Sequence, residues 1–478
     1  MRVAMTLRRE SALPIHRQIY EEWRGGILDG RFRNGERVPS TRDLASSLGV
    51  ARATVTVAYD QLISEGYLES ARGSGTFVCR RLPEELLRAR HAPAAQPQTE
   101  SEIRLSRFGA KIASLEPYSI PALRPGWISF SPWRPDLHEF PFALWRKLLA
   151  RHMRSADHAF FDYRNERAGH ESLRREITAY LARSRAVRCE PDQVIVVNGS
   201  QQALDFCARL LLDPGDRVAI EDPGYQGARQ IFSSYGARLC PAPVGTDGVA
   251  AASLGRGTRV LYVTPSHQFP TGISMSLPRR LELIEWARRR RAVILEDDYD
   301  SEYRYDGPPL PAMQGLAGGS PVIYIGTFSK VMFPGLRIGY VVAPRALASP
   351  FMRAKWLADR QTPMLEQAAL AGFLREGHLE RHIRRMRRLY GRRREVLLEA
   401  LGRHFGARAH VIGDPAGMHA LVRVDDDGLA ARAPANRVHV ASSAPYYIGR
   451  APRNEFIFGF SAVAERAIRE GIRRIAPE

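Results

Sequence analysis

The stretch Gly326-Thr327-Phe328-Ser329-Lys330 decides the fold of this chain, because it places a lysine directly after a buried strand. The preceding run Val322-Ile323-Tyr324-Ile325 is apolar and β-branched, which is typical of a strand covered on both faces. Desolvation there favours the neutral amine that can form a Schiff base with a carbonyl cofactor. A solvated lysine on a turn is the alternative at this point. Arginine dominates the basic residues, and the only four lysines are Lys111, Lys147, Lys330 and Lys355.

Apolar runs of the same kind alternate with helical segments upstream of this lysine. They cover residues 194–197, 217–220, 260–263 and 292–295. This alternation, which begins at about Ser129, predicts an α/β domain with a mainly parallel sheet covered on both faces. Ligands of such sheets bind at the carboxyl ends of the strands. We therefore expect the turns after these strands to carry the chemistry.

Three of these turns suit an aromatic, phosphorylated ligand. Ser200 opens a helix after Asn198-Gly199, where backbone amides and the Ser200 hydroxyl can hold a phosphate. Tyr225 offers a flat surface for an aromatic ring. Asp297 follows a buried strand about 30 residues before Lys330, and a carboxylate there can keep a pyridine nitrogen protonated. Downstream of the lysine, Arg337 supplies a guanidinium for the phosphate.

This ordered series resembles the fold-type-I aminotransferases, which bind pyridoxal 5'-phosphate, over a region from about Ser129 to the C-terminus. The resemblance implies that Lys330 forms the internal aldimine and that Asp297 pairs with the pyridinium nitrogen. It also implies that Tyr299 bonds the ring hydroxyl and that Tyr225 stacks on the ring. The implied phosphate ligands are Ser200, Gln201, Thr327 and Arg337. Tyr163 matches the tyrosine that family members lend to the neighbouring subunit's phosphate, which implies a homodimer.

The N-terminal residues predict a winged helix-turn-helix. Helical periodicity covers residues 14–28, 40–48 and 52–65, with Ser40 as the expected N-cap of the second helix. Small and polar residues on the third helix, with Arg52 at its open end, suit entry into a DNA major groove. Residues 67–78 predict a two-stranded ribbon whose glycine-rich tip can approach the sugar-phosphate backbone.

This segment resembles the GntR family of bacterial regulators. The resemblance rests on Pro39-Ser40-Thr41-Arg42, Glu65-Gly66-Tyr67-Leu68 and Gly73-Ser74-Gly75-Thr76-Phe77, among other stretches. The DNA contacts that it implies fall on Arg42, Arg52, Thr54, Thr56, Arg72 and Gly73. A winged helix joined to an aminotransferase-like domain resembles the MocR subfamily of GntR regulators, whose assembly is a head-to-tail dimer on double-stranded DNA.

We expect three segments along the chain. Residues 1–79 form the DNA-binding domain, residues 80–124 a flexible linker, and residues 125–478 the dimerising effector domain. The periodicity fades in the linker around Pro93 and Pro97. The linker either transmits a change of shape to the DNA-binding heads or is a passive tether, and the sequence leaves both open.

Two positions depart from the aminotransferase pattern. Phe269 stands where these enzymes usually place an asparagine before the Pro-Thr-Gly triplet, so other donors must serve the ring oxygen. Ile457 stands where they carry an arginine that clamps the substrate carboxylate, and neither Arg450 nor Arg453 is in register. Orientation of the substrate carries much of catalysis, so the missing clamp argues against ordinary amino-acid transamination.

Composition narrows the class of protein. The 478 residues carry a formal charge of +19, which points to a polyanionic partner such as nucleic acid. The four cysteines have no spacing that suggests a metal site, and no apolar run reaches the length of a membrane span, so we expect a cytoplasmic protein. An arginine-rich helix at residues 381–394 can touch DNA, pair with another chain or form a solvated face, the last being favoured.

These observations together predict a dimeric transcription regulator that binds pyridoxal phosphate through Lys330. Its effector is either the cofactor itself or an amine that reacts with it, and the absence of the arginine clamp tilts the choice toward the first. One rival is a working aminotransferase that also binds DNA, although Ile457 disfavours it. The other rival is a regulator whose large domain has lost the cofactor and only dimerises.

Overall fold

A computed structural model describes residues 7, 13–71, 74–82, 104–116, 124–154, 161–162, 166–308 and 310–477. The chain divides into two compact units, Met1–Arg104 and Leu105–Glu478. Among the described residues, no helix is both long enough and apolar enough to cross a membrane.

The first unit contains three helices and a two-stranded antiparallel ribbon. In chain order these are α1 (Ile15–Leu28), α2 (Thr41–Leu48), α3 (Arg52–Ser64), β1 (Leu68–Ala71) and β2 (Gly75–Val78). The Ser40 hydroxyl accepts a hydrogen bond from the Asp43 amide and caps α2, and Gly49 ends that helix at a φ of 64°. The predicted winged helix-turn-helix is therefore present, with boundaries within about two residues of those expected.

An aromatic core fixes the three helices of this unit. Trp23 of α1 is fully buried, and its ring lies 4.3 Å from Phe32 and 6.0 Å from Tyr59 of α3. Val55 and Leu62 are buried on the same face of α3. The opposite side of α3 is thereby left toward solvent, where Ala53 and Val57 are exposed.

Among the described residues of the expected linker, one segment differs from the expectation. Residues Arg107–Ala113 form a helix, α4, which Ser106 caps by accepting a hydrogen bond from the Gly109 amide. The Phe108 ring packs at 5.0 Å from Tyr235, and the Gln230 side chain donates to the Glu116 carbonyl. This part of residues 80–124 is helical and belongs to the second unit, where Phe108 contacts a residue far away in the sequence.

The second unit is built on an eight-stranded sheet of order β4-β11-β10-β9-β8-β5-β6-β7. The strands are β4 (Val194–Val197), β5 (Arg217–Asp222), β6 (Arg238–Gly245), β7 (Gly248–Val249), β8 (Thr258–Val263), β9 (Val293–Asp298), β10 (Val322–Thr327) and β11 (Gly339–Val342). The five central strands, from β10 to β6, pair in parallel, and β11 lies antiparallel between β4 and β10. The predicted mainly parallel α/β sheet is confirmed.

Helices cover this sheet, and the second unit also contains a smaller antiparallel sheet. They are α5 (Phe142–Met153), α6 (Glu171–Arg185), α7 (Ser200–Leu211), α8 (Gln226–Ser234), α9 (Leu277–Arg290), α10 (Met313–Ala317), α11 (Arg345–Asp359), α12 (Met364–Arg375), α13 (His378–Phe405), α14 (Leu429–Ala435) and α15 (Glu465–Ile475). The smaller sheet has the order β12-β13-β16-β15, formed by Ala409–Ile412, His419–Val424, Glu455–Gly459 and Ala441–Ser442. A short parallel pair joins β3 (Ile128–Ser129) to β14 (Val438–His439).

Candidate functional site

The carboxyl ends of the central strands open onto a cavity of about 470 Å³. Its walls include eight of the nine residues that the sequence singled out for the cofactor: Ser200, Gln201, Tyr225, Asp297, Tyr299, Thr327, Lys330 and Arg337. The ninth, Tyr163, lies outside the described residues. The eight side chains come from the ends of β4, β5, β9 and β10 and from the loop before β11, which are far apart in the sequence, and the sheet order brings them together.

Lys330 follows β10, and its side chain is enclosed by the cavity wall. Its Nζ donates a hydrogen bond to the Trp133 carbonyl at 3.1 Å. Burial lowers the pKa of the Lys330 ammonium to about 8, although the carboxylates of Asp300 and Asp297 act in the opposite direction. A lysine in this state holds a much larger share of neutral, nucleophilic amine than a lysine in water.

The strand period resolves which of three consecutive acids faces the cavity. Glu296 accepts hydrogen bonds from the amides of Met313 and Gln314, on the far side of β9. Asp298, on that same side, forms a buried ion pair with Arg185 at 2.7 Å. Asp297 points the other way, into the cavity, as the alternation of side chains along a strand requires.

Asp297 is buried, and one of its oxygens is satisfied. The Tyr262 hydroxyl donates to Oδ2 at 2.8 Å, whereas Oδ1 has no hydrogen-bond partner among the described residues. Burial raises the pKa of Asp297 to about 7, and the hydrogen bond from Tyr262 opposes that rise. A buried carboxylate oxygen without a donor is costly, so this atom is suited to receive a proton-bearing group of a ligand.

The turn between β4 and α7 forms the phosphate end of the cavity. Gly199 has a φ of 87°, and a Cβ at this position would lie 3.0 Å from the Arg337 guanidinium, so only glycine fits. Arg337 donates through Nη2 to the Asn198 carbonyl at 2.9 Å and so sits beside the first amides of α7. Ser200 begins that helix, where free backbone amides favour an anion.

Aromatic rings form much of the remaining wall, which also includes Arg134, Thr264, Ser329 and Pro334. The Tyr225 hydroxyl accepts a hydrogen bond from Gln201 at 3.1 Å. Phe269 is buried and lies 5.6 Å from the Trp133 ring and 5.0 Å from the Tyr446 ring. Ile457 is fully buried in the same cluster. The two positions that depart from the enzyme pattern therefore both make apolar contacts, and neither presents a polar group to a ligand.

Sequence reasoning assigned no role to a buried group beneath Tyr299. His267 Nδ1 lies 3.0 Å from the Tyr299 hydroxyl and 3.1 Å from each carboxylate oxygen of Asp300. His419 lies beside them, and its Nε2 is 3.1 Å from the Pro270 carbonyl. His267, Asp300 and His419 offer atoms within 4.8 Å of one another. Hydrogen bonds account for most of these contacts, so we treat the group as the support of Tyr299.

Tyr262 and Trp133 were also missed. The parallel register pairs Tyr262 with Leu295, two residues before Asp297 and on the same side of β9, which a full strand alignment could have revealed. Trp133 contacts Lys330 through a backbone carbonyl, and a sequence pattern does not encode that contact.

The first unit has a second candidate surface, at the N-terminal end of α3. Arg42 and Arg52 are exposed there, and the Arg52 Nε donates to the Thr41 hydroxyl at 3.3 Å. Thr54 and Thr56 are half-buried, and the Thr56 hydroxyl donates to the Arg52 carbonyl. Arg72 and Gly73 lie outside the described residues.

One exposed arginine near the ribbon was not predicted. The backbone of Arg37 forms an isolated antiparallel β-bridge with Phe77 of β2. Its guanidinium packs against Gly75, so closely that a Cβ added at Gly75 would lie 2.8 Å from it. It therefore adds a positive charge beside the ribbon.

Two family models match the chain. "Bacterial regulatory proteins, gntR family" covers residues 15–78, and "Aminotransferase class I and II" covers residues 136–475. The probable rhizopine catabolism regulatory protein MocR of Rhizobium meliloti is 41% identical over 98% of this chain and 95% of its own length. The chain belongs to the MocR subfamily of GntR-family regulators.

Other MocR-type regulators and an enzyme extend the comparison. The pyridoxine biosynthesis transcriptional regulator PdxR of Corynebacterium glutamicum is 32% identical over 95% of this chain and 93% of its own. The structure of LysN, the α-aminoadipate aminotransferase of Thermus thermophilus, matches with a TM-score of 0.67 and 31% identity, covering 73% of this chain and 91% of that one. LysN was solved with N-(5'-phosphopyridoxyl)-L-leucine.

The predicted cofactor, pyridoxal phosphate, is confirmed at the level of the family. The cavity of this MocR-type chain fits that group on its own evidence, because it joins a lysine, an unpartnered buried carboxylate oxygen and a helix start. When bound, pyridoxal phosphate supplies a carbonyl carbon that condenses with primary amines and a pyridine ring that accepts electrons.

Proposed function

We propose that this MocR-type regulator binds an operator as a homodimer and changes its DNA binding when pyridoxal phosphate, or an amine that reacts with it, occupies the effector domain. The observation that carries the proposal is the convergence of Lys330 and Asp297 in one cavity of a chain that also has a winged helix-turn-helix. A sensor needs no further active-site group, because reversible covalent capture already gives a selective signal.

The residues that the sequence singled out for the cofactor each have a proposed part. Lys330 would hold the cofactor through its amine, and Tyr225 would stack on the ring. Tyr299, held by His267, donates to the ring oxygen in place of the asparagine that Phe269 replaces. The proposed phosphate ligands are Ser200, Gln201, Thr327 and Arg337, together with Tyr163 of the second copy.

Asp297 is proposed to hold the ring nitrogen in its protonated form. Its pKa of about 7 means that the carboxyl group is partly protonated near neutral pH without a ligand. A ring cation beside Oδ1 stabilises the carboxylate, since opposite charges in a buried site attract strongly. Tyr262 stays on Oδ2 and fixes the orientation of the carboxylate.

The effector acts through two conformations of the protein. A ligand shifts such an equilibrium only by the difference between its affinities for the two states. Ile457, in place of the arginine clamp of the enzymes, favours an effector without an α-carboxylate, and the cofactor itself meets that condition; the cation that does line the cavity beside Lys330 and Arg337 is Arg134. The names of the relatives PdxR and MocR concern pyridoxine biosynthesis and rhizopine catabolism, and they support both options within the proposal.

The DNA contact is proposed for the exposed end of α3. Arg52 reaches a base edge or a phosphate of the DNA. Arg42, Thr54 and Thr56 bind the sugar-phosphate backbone of the DNA. Arg72 and Gly73 are proposed for the wing. We also propose the head-to-tail dimer of the MocR subfamily. We propose a cytoplasmic location because a regulator of this kind acts on chromosomal DNA.

The test is visible absorbance during titration of the cofactor-free protein with pyridoxal phosphate, with Lys330→Ala as the matched variant. A saturable visible band is expected for the wild type and not for the variant. Addition of candidate amines then reports displacement of the lysine. A band of equal size in both proteins would rule out Lys330 as the attachment point.

Transamination is the second candidate function, because Lys330 and Asp297 are also what an aminotransferase requires. Incubation of the loaded protein with an amino donor and a 2-oxo acid decides this point. The proposal expects at most one turnover for each site, and steady multiple turnover would establish an enzyme.

A further inference from the structure

The charge of this protein is distributed unevenly between its two units. Residues 1–79 carry 11 Lys and Arg against nine Asp and Glu, which is only +2 of the total of +19. Residues 105–478 carry 54 Lys and Arg against 38 Asp and Glu, which is +16. The unit that holds the winged helix-turn-helix is therefore nearly neutral, and the excess positive charge lies on the effector domain.

Two packed helices carry half of the excess positive charge of residues 105–478. Helices α13 and α15 contain 13 arginines and five glutamates, and so contribute +8. Nine of these arginines are exposed: Arg381, Arg384, Arg385, Arg388, Arg392, Arg403, Arg466, Arg469 and Arg473. Among the described residues, no carboxylate pairs with Arg384, Arg388, Arg403, Arg466 or Arg469. We call this set of exposed arginines the basic face.

The basic face is continuous. Arg384, Arg388 and Arg392 recur every four residues and lie on one side of α13, about 6 Å apart along its axis. Arg392 contacts Glu465, the first residue of α15, at 3.6 Å. From there Arg466, Arg469 and Arg473 follow one side of α15.

A groove of about 810 Å³ forms the end of this face. Its walls include Arg403, His404, Arg466, Arg469, Arg473 and Arg474, and the only carboxylate in its lining is Glu470. Arg473 and Arg474 each form an ion pair with Glu470 at 2.8 Å, so these two arginines already neutralise the Glu470 carboxylate. The groove is an open concave surface with a net positive lining.

Folding does not explain this concentration. Like charges at i and i+4 destabilise a helix by a few tenths of a kcal/mol for each pair. The helix dipole favours cations in the last turn, which accounts for Arg403 and Arg473 but not for Arg384, Arg388 or Arg392 in the middle of α13. A partner with regularly spaced negative charges would offset the repulsion.

We propose that the basic face binds the phosphate backbone of the operator DNA outside the bases that the winged helix contacts. The proposal rests on the proposed function, since it assumes that the chain binds an operator. DNA fits better than an acidic protein surface because its phosphates repeat regularly along the helix axis, as the arginines do along α13 and α15. Such a contact carries affinity and no base specificity.

The experiment uses the full chain and an operator that the wild-type protein has selected from a random-sequence library. The operator is placed in a short duplex limited to the base pairs that the selection specifies and in a duplex extended by about 30 base pairs on each side. Affinity is measured between 50 and 200 mM salt. The variant carries Arg388→Gln, Arg466→Gln and Arg469→Gln, and the control carries Arg238→Gln, Arg256→Gln and Arg290→Gln, which removes three exposed charges elsewhere.

On the long duplex, the slope of log affinity against log salt is expected to fall in magnitude by about 0.9 for each lost phosphate contact, or about 2.7 for three. The ratio of the wild-type affinity to the variant affinity for the long duplex should then fall by about 40-fold between 50 and 200 mM salt. On the short duplex the two proteins bind alike, and the control behaves as wild type on both.

Other results overturn the inference. Equal slopes on the long duplex, or an equal loss with the control, mean that the basic face does not contact DNA. A variant that changes the sedimentation of the free protein places the face between two copies of the chain. Failure of the wild type to select or bind any operator instead refutes the proposed function, and the short duplex distinguishes the two failures.

Discussion

The first prediction concerns the pH at which Lys330 captures pyridoxal phosphate. With a pKa of about 8, about 9% of the side chain is neutral at pH 7, whereas about 0.03% of an ordinary lysine with a pKa of 10.5 is neutral. The buried site is thus roughly 300-fold richer in reactive amine. We expect the rate of capture by cofactor-free protein to rise about tenfold per pH unit below pH 7, about fivefold between pH 7 and pH 8, and then to level off.

Stopped-flow absorbance from pH 6 to pH 9.5 measures this rate. A small primary amine with an ordinary pKa, mixed with the cofactor under the same conditions, corrects for the ionisation of the cofactor itself. Asp300→Asn removes a charge that raises the pKa of Lys330, so its plateau should begin below pH 8. A wild-type rate that still rises tenfold between pH 8.5 and 9.5 would refute the reasoning, because Lys330 would then titrate like an exposed lysine.

Three further predictions concern other residues. In the cofactor-free protein, the raised pKa of Asp297 destabilises the folded state above pH 7 and has no effect on stability below pH 4. At pH 8 the free energy of unfolding of Asp297→Asn, measured with denaturant, should therefore exceed that of wild type by up to about 4 kcal/mol, and the difference should narrow toward pH 4. Ile457→Arg should give leucine at least a tenfold advantage over 3-methylbutylamine in displacing the lysine, as seen by absorbance, whereas the wild type should show none. Arg52→Ala should cost about 1–3 kcal/mol in operator binding and should also relax specificity, as measured by anisotropy against a scrambled duplex.

The fold was accessible from the sequence because its strongest signals are local. The apolar strands, the Ser40 cap and the Gly49 turn each depend on neighbours within a few residues, and all of them appear in the structure. Helix α4 was missed, and the contact of its Phe108 with Tyr235 joins residues that are far apart in the sequence, so it leaves no local signal.

The cofactor site was partly accessible for the same reason. Residues at strand ends, such as Asp297 and Lys330, can be located by counting along each strand, and the sheet brings them to one edge. The support of Tyr299 by His267 and Asp300 depends on how a loop folds back on itself, and a pattern of residue types does not specify that. The pKa values of the buried groups depend on the depth of burial, which becomes known only from the packed structure.

The most direct test of the central claim is operator affinity of wild type and Lys330→Ala, each measured without ligand, with pyridoxal phosphate, and with the cofactor plus a reactive amine. We predict equal affinities for the two proteins without ligand. A ligand should then change the wild-type affinity by about 5- to 150-fold, the usual range of coupling between two sites, and leave the variant unchanged. An unchanged wild-type affinity under all conditions, or an equal change in both proteins, would contradict the claim that this regulator senses its effector through Lys330.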